Sequence, residues 1–208
     1  MKKAVCAVLL TAVFIAAAFV PGAAAEKKGV CLCFIVDNGS VAGCAAGASL
    51  FDSVLKAVVG SGEKVAFFFD CENPRYDADF ASAMMKAFSA GMPVGIFDAK
   101  GGDPDRIAEV LTYEKYITRT TSRMILASST SRDKFDDGFA VYMADIIIST
   151  PSLISAETLA NFRNATMVAR IDGTLTAPII ALFSSIKTSG IYIITPTETG
   201  FSAYGTEE

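Results

Sequence analysis

No histidine and no tryptophan occur among the 208 residues of this chain. The first absence excludes most general acid–base chemistry near neutral pH, most zinc ligation, and every Ser-His, Cys-His or His-metal constellation. Basic residues are outnumbered, 18 against 22 acidic, and no basic stripe recurs, so a nucleic-acid partner is not expected. Phosphate-binding glycine motifs are missing too. The glycines after residue 37 come four apart at Gly39, Gly43 and Gly47 rather than as G-x-G-x-x-G, and no G-K-[ST] follows. Ser-x-x-Lys begins at Ser53, Ser61, Ser131 and Ser184, but four copies without a partner motif specify no chemistry.

What is present starts with the pattern of an export signal. Lys2 and Lys3 precede an apolar run over residues 4–20, which Pro21-Gly22 breaks before Ala23-Ala24-Ala25. The run is short for a membrane span of about 20 residues. Cleavage after Ala25 is therefore expected, with no stable span afterwards, and residues 26–208 form one domain in a secreted or extracytoplasmic setting such as a periplasm or cell envelope. Removing the two lysines takes the net charge from −4 to −6.

Cys6 would leave with the signal, and Cys31, Cys33, Cys44 and Cys71 would remain. In an oxidising compartment this even count permits disulfides. Cys31 and Cys33 share one face of a predicted strand, a poor geometry for bridging. Cys44 and Cys71 fall in loops after successive strands and are the disulfide candidates; a pair of small buried thiols is the alternative. A zinc site at the C-x-C pair lacks a second pair of ligands.

Strand-like and helix-like segments alternate along the chain. Residues 30–36, 65–69, 94–97, 123–127, 167–171 and 191–195 read as short buried strands, with one or two more in 139–148. Helical spacing marks residues 49–59, 77–90, 103–116, 155–162 and 177–187. Repeated βα units imply parallel strands with helices outside, as a barrel or a doubly wound sheet, with the loops after the strands sharing one face. Asp37, Asp70, Asp98 and Asp172 each come at or just beyond the carboxyl end of such a strand, and Asp145 is a further candidate. Converging there, a carboxylate pair would bind a hard cation or divide acid and base roles. The plainer role is helix capping and turn formation.

The order of segments resembles the NodB-homology polysaccharide deacetylases. Cys33-Phe34-Ile35-Val36-Asp37-Asn38-Gly39 is similar to their first motif, T-F-D-D-G, and Glu63-Lys64-Val65-Ala66-Phe67-Phe68-Phe69 to their second strand, G-x-K-A-T-F-F. The stretch 84–95 parallels the helix and strand around G-H-E-I-G-N-H. Residues 166–173, followed by 178–195, are similar to the ending I-x-L-L-H-D … L-x-x-G-Y-x-F-V-T. The resemblance covers nearly all of residues 26–208. It implies an α/β fold, a distorted (β/α)7-type barrel, and a metal-dependent deacetylase ancestry.

The residues that carry the family's chemistry are replaced. Asp37 holds the place of the catalytic base, but Asn38 stands where a metal-ligating Asp is needed. Phe97 and Gly101 stand at the two histidine ligands, and Ile171 at the catalytic histidine, beside a retained Asp172. The resemblance thus implies that the family's divalent metal is lost and no cofactor remains. It points to an inactive deacetylase-like domain that binds a glycan or a protein partner. The alternative is an active deacetylase-type hydrolase using Asp37, Asp172 and neighbouring carboxylates. If the domain is a closed scaffold, Phe97 and Ile171 are expected to plug the old site. Tyr76, Tyr113, Tyr142 and Tyr204 are available to stack on sugars or simply to pack. Nothing in the sequence specifies an oligomeric state.

Overall fold

The structure, a computed structural model, describes residues 29–99, 103–127, 138–162, 164–197 and 200–203. The expected signal, Gly101 and Tyr204 lie outside these.

The strands are β1 Gly29–Val36, β2 Ala66–Asp70, β3 Val94–Asp98, β4 Met124–Ala127, β5 Ala140–Met143, β6 Ile146–Ile148, β7 Ala165–Arg170, β8 Tyr192–Thr197 and β9 Gly200–Ala203. The helices are α1 Asn38–Val41, α2 Leu50–Ser61, α3 Ala78–Ser89, α4 Pro104–Thr118, α5 Ala156–Leu159 and α6 Thr176–Ser189. All pairings are parallel except β8 with β9, in the order β5-β4-β3-β2-β1-β7-β6, with β8 beside the first residues of β1. Only Ala144 and Asp145 separate β5 from β6, yet these strands stand at opposite ends of that order. Seven strands laid flat at about 4.8 Å spacing would put the ends roughly 29 Å apart. Two linking residues reach no more than about 11 Å. The sheet must therefore curl until its ends meet in the single run 140–148, which pairs with β4 at its start and β7 at its finish. This is the distorted parallel barrel that the resemblance implied, and one of the two architectures that the alternating pattern left open.

Period-two alternation divides the strands into two faces. On β1, Val30, Leu32, Phe34 and Val36 join the helix-side core, whereas Cys31, Cys33 and Ile35 join an inner cluster with Phe68, Leu126, Tyr142 and Val168. Phe34, Phe51, Phe67, Phe69 and Phe80 are fully buried and pack ring to ring at 5.2–6.4 Å. Helices α2 and α6 cover this layer. Beyond its pairing with β1, β8 runs under the barrel floor: Thr195 Oγ1 donates to the Lys64 carbonyl ahead of β2, and the Tyr142 hydroxyl bonds the Thr197 carbonyl.

The segment with Gly39, Gly43 and Gly47 is built for structure rather than for a phosphate. Asp37 caps α1, and the backbone N–H groups of Gly43 and Ala45 donate to the Asp79 carboxylate at 2.9 and 2.7 Å. Lys86 reaches across from α3 to the Cys44 carbonyl at 2.6 Å and to Asp52 at 2.7 Å. Burial alone would raise the Asp52 carboxyl, but the bonds from Lys86 and Ser49 outweigh it and hold the group below its ordinary value. Because its folded value is depressed, Asp52 contributes stability above the ordinary carboxylate range, and that contribution is lost as pH falls through it. Lys86→Met is thus expected to lower stability at neutral pH and to flatten the acid limb of the stability curve. Urea titrations between about pH 3 and 7 check this.

The anticipated Cys44–Cys71 bridge is not formed. All four described cysteines are free and buried, and Cys44 points at Asp52 and Lys86, with its sulfur 3.6 Å from Lys86 Nζ. Cys31 and Cys33 lie with their sulfurs 3.6 Å apart, as free thiols on the inner face. Burial and the nearby charges of Asp98 and Asp70 push the Cys71 thiol up to about 12, so it stays protonated and unreactive. Reducing agent is expected to leave the melting temperature unchanged, and thiol reagents to label these cysteines only after unfolding.

Candidate functional site

Four inward-facing side chains from neighbouring strands meet at the carboxyl end of the barrel. Asp37 follows β1, Asp70 ends β2, Phe97 lies on β3, and Arg170 ends β7. The Arg170 guanidinium donates from Nη1 to Asp37 Oδ2 at 2.6 Å and to Asp70 Oδ2 at 3.3 Å, and its carbon lies 5.7 Å from the Phe97 ring centroid. Asp37 is fully engaged, since its Oδ1 also accepts from Ser40 N at 2.9 Å. Burial would pull the guanidinium down, but hydrogen bonding and charge from Asp37 and then Asp70 raise it further, so it remains a fixed cation. Its Nε and Nη2 have no hydrogen-bond partner among the described residues. The side chain is 39% exposed, which leaves those donors open to the mouth.

The remaining expected carboxylates stand elsewhere. Asp98 is buried at 3% exposure, one residue along β3 from Phe97 and so on the opposite, helix-side face. Asp172 Oδ1 accepts from the N–H groups of Thr174 and Leu175, both at 2.8 Å, and closes the turn into α6. Asp145 lies exposed in the two-residue link between β5 and β6, where its Oδ2 accepts from Thr166 N near the start of β7.

The positions implied by the family motif divide in the same way. Phe97 faces the mouth, as a plug would. Ile171 does not: it is 1% exposed and packs into the helix-side core. Asn38 turns away to brace the rim, its amide nitrogen donating to the Asn73 carbonyl and its oxygen accepting from Arg75 N. Gly101 lies outside the described residues. Arg170 is the residue that motif matching passed over. Its position two residues from the inward Val168 was a readable signal, because alternation on a strand places both on one face.

These residues do not fit the family's metal. Asn38 is committed to backbone on both sides, Phe97 offers no lone pair, and a fixed cation already lies between the two nearest carboxylates. A divalent ion there would face charge repulsion at hydrogen-bond range. Among the described residues, no group of three or more Asp, Glu, Cys or His is placed to hold a metal.

No protein-family model and no curated protein matches the sequence. Solved structures do. The polysaccharide deacetylase Bc1974 from Bacillus cereus superposes with TM-score 0.58 at 15% identity over 88% of this chain and 94% of that one. The family 4 carbohydrate esterase from Streptomyces lividans superposes with TM-score 0.57 at 14% identity over 85% and 97%. The fold is that of the NodB-type deacetylases. A mutant of BA3943, a CE4 family pseudoenzyme, superposes on the same NodB-type fold with TM-score 0.60 at 13% identity, over 82% of this chain and 66% of that one.

Proposed function

We propose that this chain is an exported, non-hydrolytic glycan-binding domain on a deacetylase scaffold, in which the Arg170 guanidinium takes the place of a metal cation. The observation that carries this reading is the position of Nη1 between Asp37 and Asp70. Hydrolysing an acetyl group requires an activated water, a polarised carbonyl and a proton donor for the leaving group. Here Asp37, at the place of the family's catalytic base, has both oxygens occupied. A guanidinium is too basic to donate a proton outright, but its planar fork suits a carboxylate or an amide carbonyl. With Nε and Nη2 open and Phe97 beside them, the mouth offers charge-assisted hydrogen bonds and an aromatic surface to an acidic or N-acetylated sugar. The likeness to a pseudoenzyme fits a scaffold kept after its chemistry is lost.

Calorimetric titration with peptidoglycan fragments, chitin oligomers and xylan oligomers tests the reading. Binding that Arg170→Ala weakens about tenfold is expected, in line with the loss of one or two charge-assisted hydrogen bonds. Absence of binding to all three would remove it, as would acetate release by the unmodified chain from any acetylated glycan.

A further inference from the structure

Asn38 and Gly39 open α1 at the rim of the mouth, and Asn-Gly is the dipeptide in which an asparagine amide is lost most readily. The nucleophile in that reaction is the backbone nitrogen of the following residue, which glycine leaves unobstructed. The other asparagines of the chain are differently placed. Asn73 precedes Pro74, whose nitrogen carries no hydrogen, and Asn161 and Asn164 precede Phe162 and Ala165, whose side chains crowd the approach.

The structure exposes the nucleophile and pins the carbon it would attack. Gly39 is exposed, and its N–H, in the first turn of α1, has no acceptor among the described residues. The half-buried Asn38 side chain is held by a single segment, the β2–α3 loop over residues 71–77. Its Nδ2 donates to the Asn73 carbonyl, and its Oδ1 accepts from Arg75 N at 3.1 Å. Among the described residues, no other hydrogen bond holds Asn73 or Arg75. The loop is otherwise tied near its two ends, where Arg106 reaches the Glu72 carbonyl and Asp77 caps α3. Its middle therefore depends on one amide, a group that offers a donor and an acceptor together.

We propose that Asn38 is a hydrolytic modification site, whose amide latches the β2–α3 loop while intact and releases it once converted to a carboxylate. The Gly39 nitrogen gives up its proton and bonds to Asn38 Cγ, the Cγ–Nδ2 bond breaks, and ammonia leaves with that proton. Water then opens the cyclic imide at either carbonyl, leaving aspartate or isoaspartate. In sum one water is consumed and one ammonia released, with no oxidant or cofactor. The product carries no N–H, so a carboxylate oxygen faces the Asn73 carbonyl where a donor stood, and the tie is lost. Because both bonds to the loop must open before Cγ can be reached, loop opening sets the rate in the folded chain. This inference concerns the rim and does not depend on glycan binding or on Arg170.

Ageing the full chain at mildly alkaline pH, folded and in denaturant, with peptide mass mapping tests it. The amide-to-acid mass change is expected at Asn38 before any other asparagine, and about tenfold more slowly in the folded chain than in denaturant. Gly39→Ala should suppress the change in both conditions while the fold is kept, since the added Cβ meets only Asp37 Oδ1, at 3.4 Å. Asn38→Asp, which installs the product, should speed amide hydrogen exchange across residues 72–76 about tenfold. Earlier conversion of another asparagine, no conversion of Asn38 in the folded chain, equal rates in the two conditions, or unchanged exchange in Asn38→Asp would overturn the inference.

Discussion

Arg170→Glu is expected to lower the unfolding free energy by about 2 kcal/mol and to reverse the local response to acid. The substitution places a third carboxylate against Asp37 and Asp70, both within hydrogen-bond reach of the present guanidinium. Partial exposure of the group keeps the cost below that of breaking a fully buried pair. Clustered carboxylates have folded-state values raised above their unfolded ones, so the folded state binds more protons and its relative stability rises as pH falls. The variant should therefore recover part of its lost stability between about pH 7 and 5. Arg170→Ala should show a smaller loss without the recovery. Chemical denaturation at several pH values checks both.

Gly95→Ala is expected to cost about 3 kcal/mol or to prevent folding. A Cβ at this point of β3 would lie 2.6 Å from Cε1 of Phe68 and 2.8 Å from the Met124 carbonyl oxygen. Phe68 is fully buried in the inner cluster and pairs with Gly95 across the β2–β3 ladder, so its ring lies over the space that the glycine leaves. The ring has nowhere to retreat, and the carbonyl belongs to the neighbouring strand. Gly47→Ala is a useful comparison, since nothing lies within 4 Å of the added carbon and only its φ of +73° is strained. The milder variant should melt only a few degrees below the parent, and the Gly95 variant should fail to give a cooperative transition near it.

The fold was legible because buried parallel strands read as apolar runs, and each is followed by a segment of helical spacing. The run 139–148 shows where that reading stopped. Its composition marks a strand, but only the pairing to β4 at one end and β7 at the other shows that it closes the barrel and ties Asp145 to β7. The β8–β9 hairpin was missed past Thr195 because Thr, Pro, Glu and Gly there carry no strand pattern.

The site was half legible. Asp37 and Asp70 meet as their places at strand ends implied, whereas Asp98 and Asp172 were placed at the mouth by sequence position alone. Asp98 faces the helices, and Asp172 spends its carboxylate on a turn. Matching Asp172-Gly173 to a family motif drew attention to Ile171, while the alternation of β7 turns Ile171 to the helices and Arg170 to the mouth. An arginine paired with two carboxylates leaves no trace in a motif written for metal ligands.

Thermal unfolding of the chain with saturating zinc and with a chelator tests most directly whether Arg170 has replaced the metal. A ligand that binds only the folded state raises the melting temperature, and by more the further its concentration exceeds its dissociation constant. The melting temperature is predicted to be the same in both conditions, with no acetate released from acetylated glycans in the zinc sample. A clear rise in zinc, reversed by the chelator, would contradict the account.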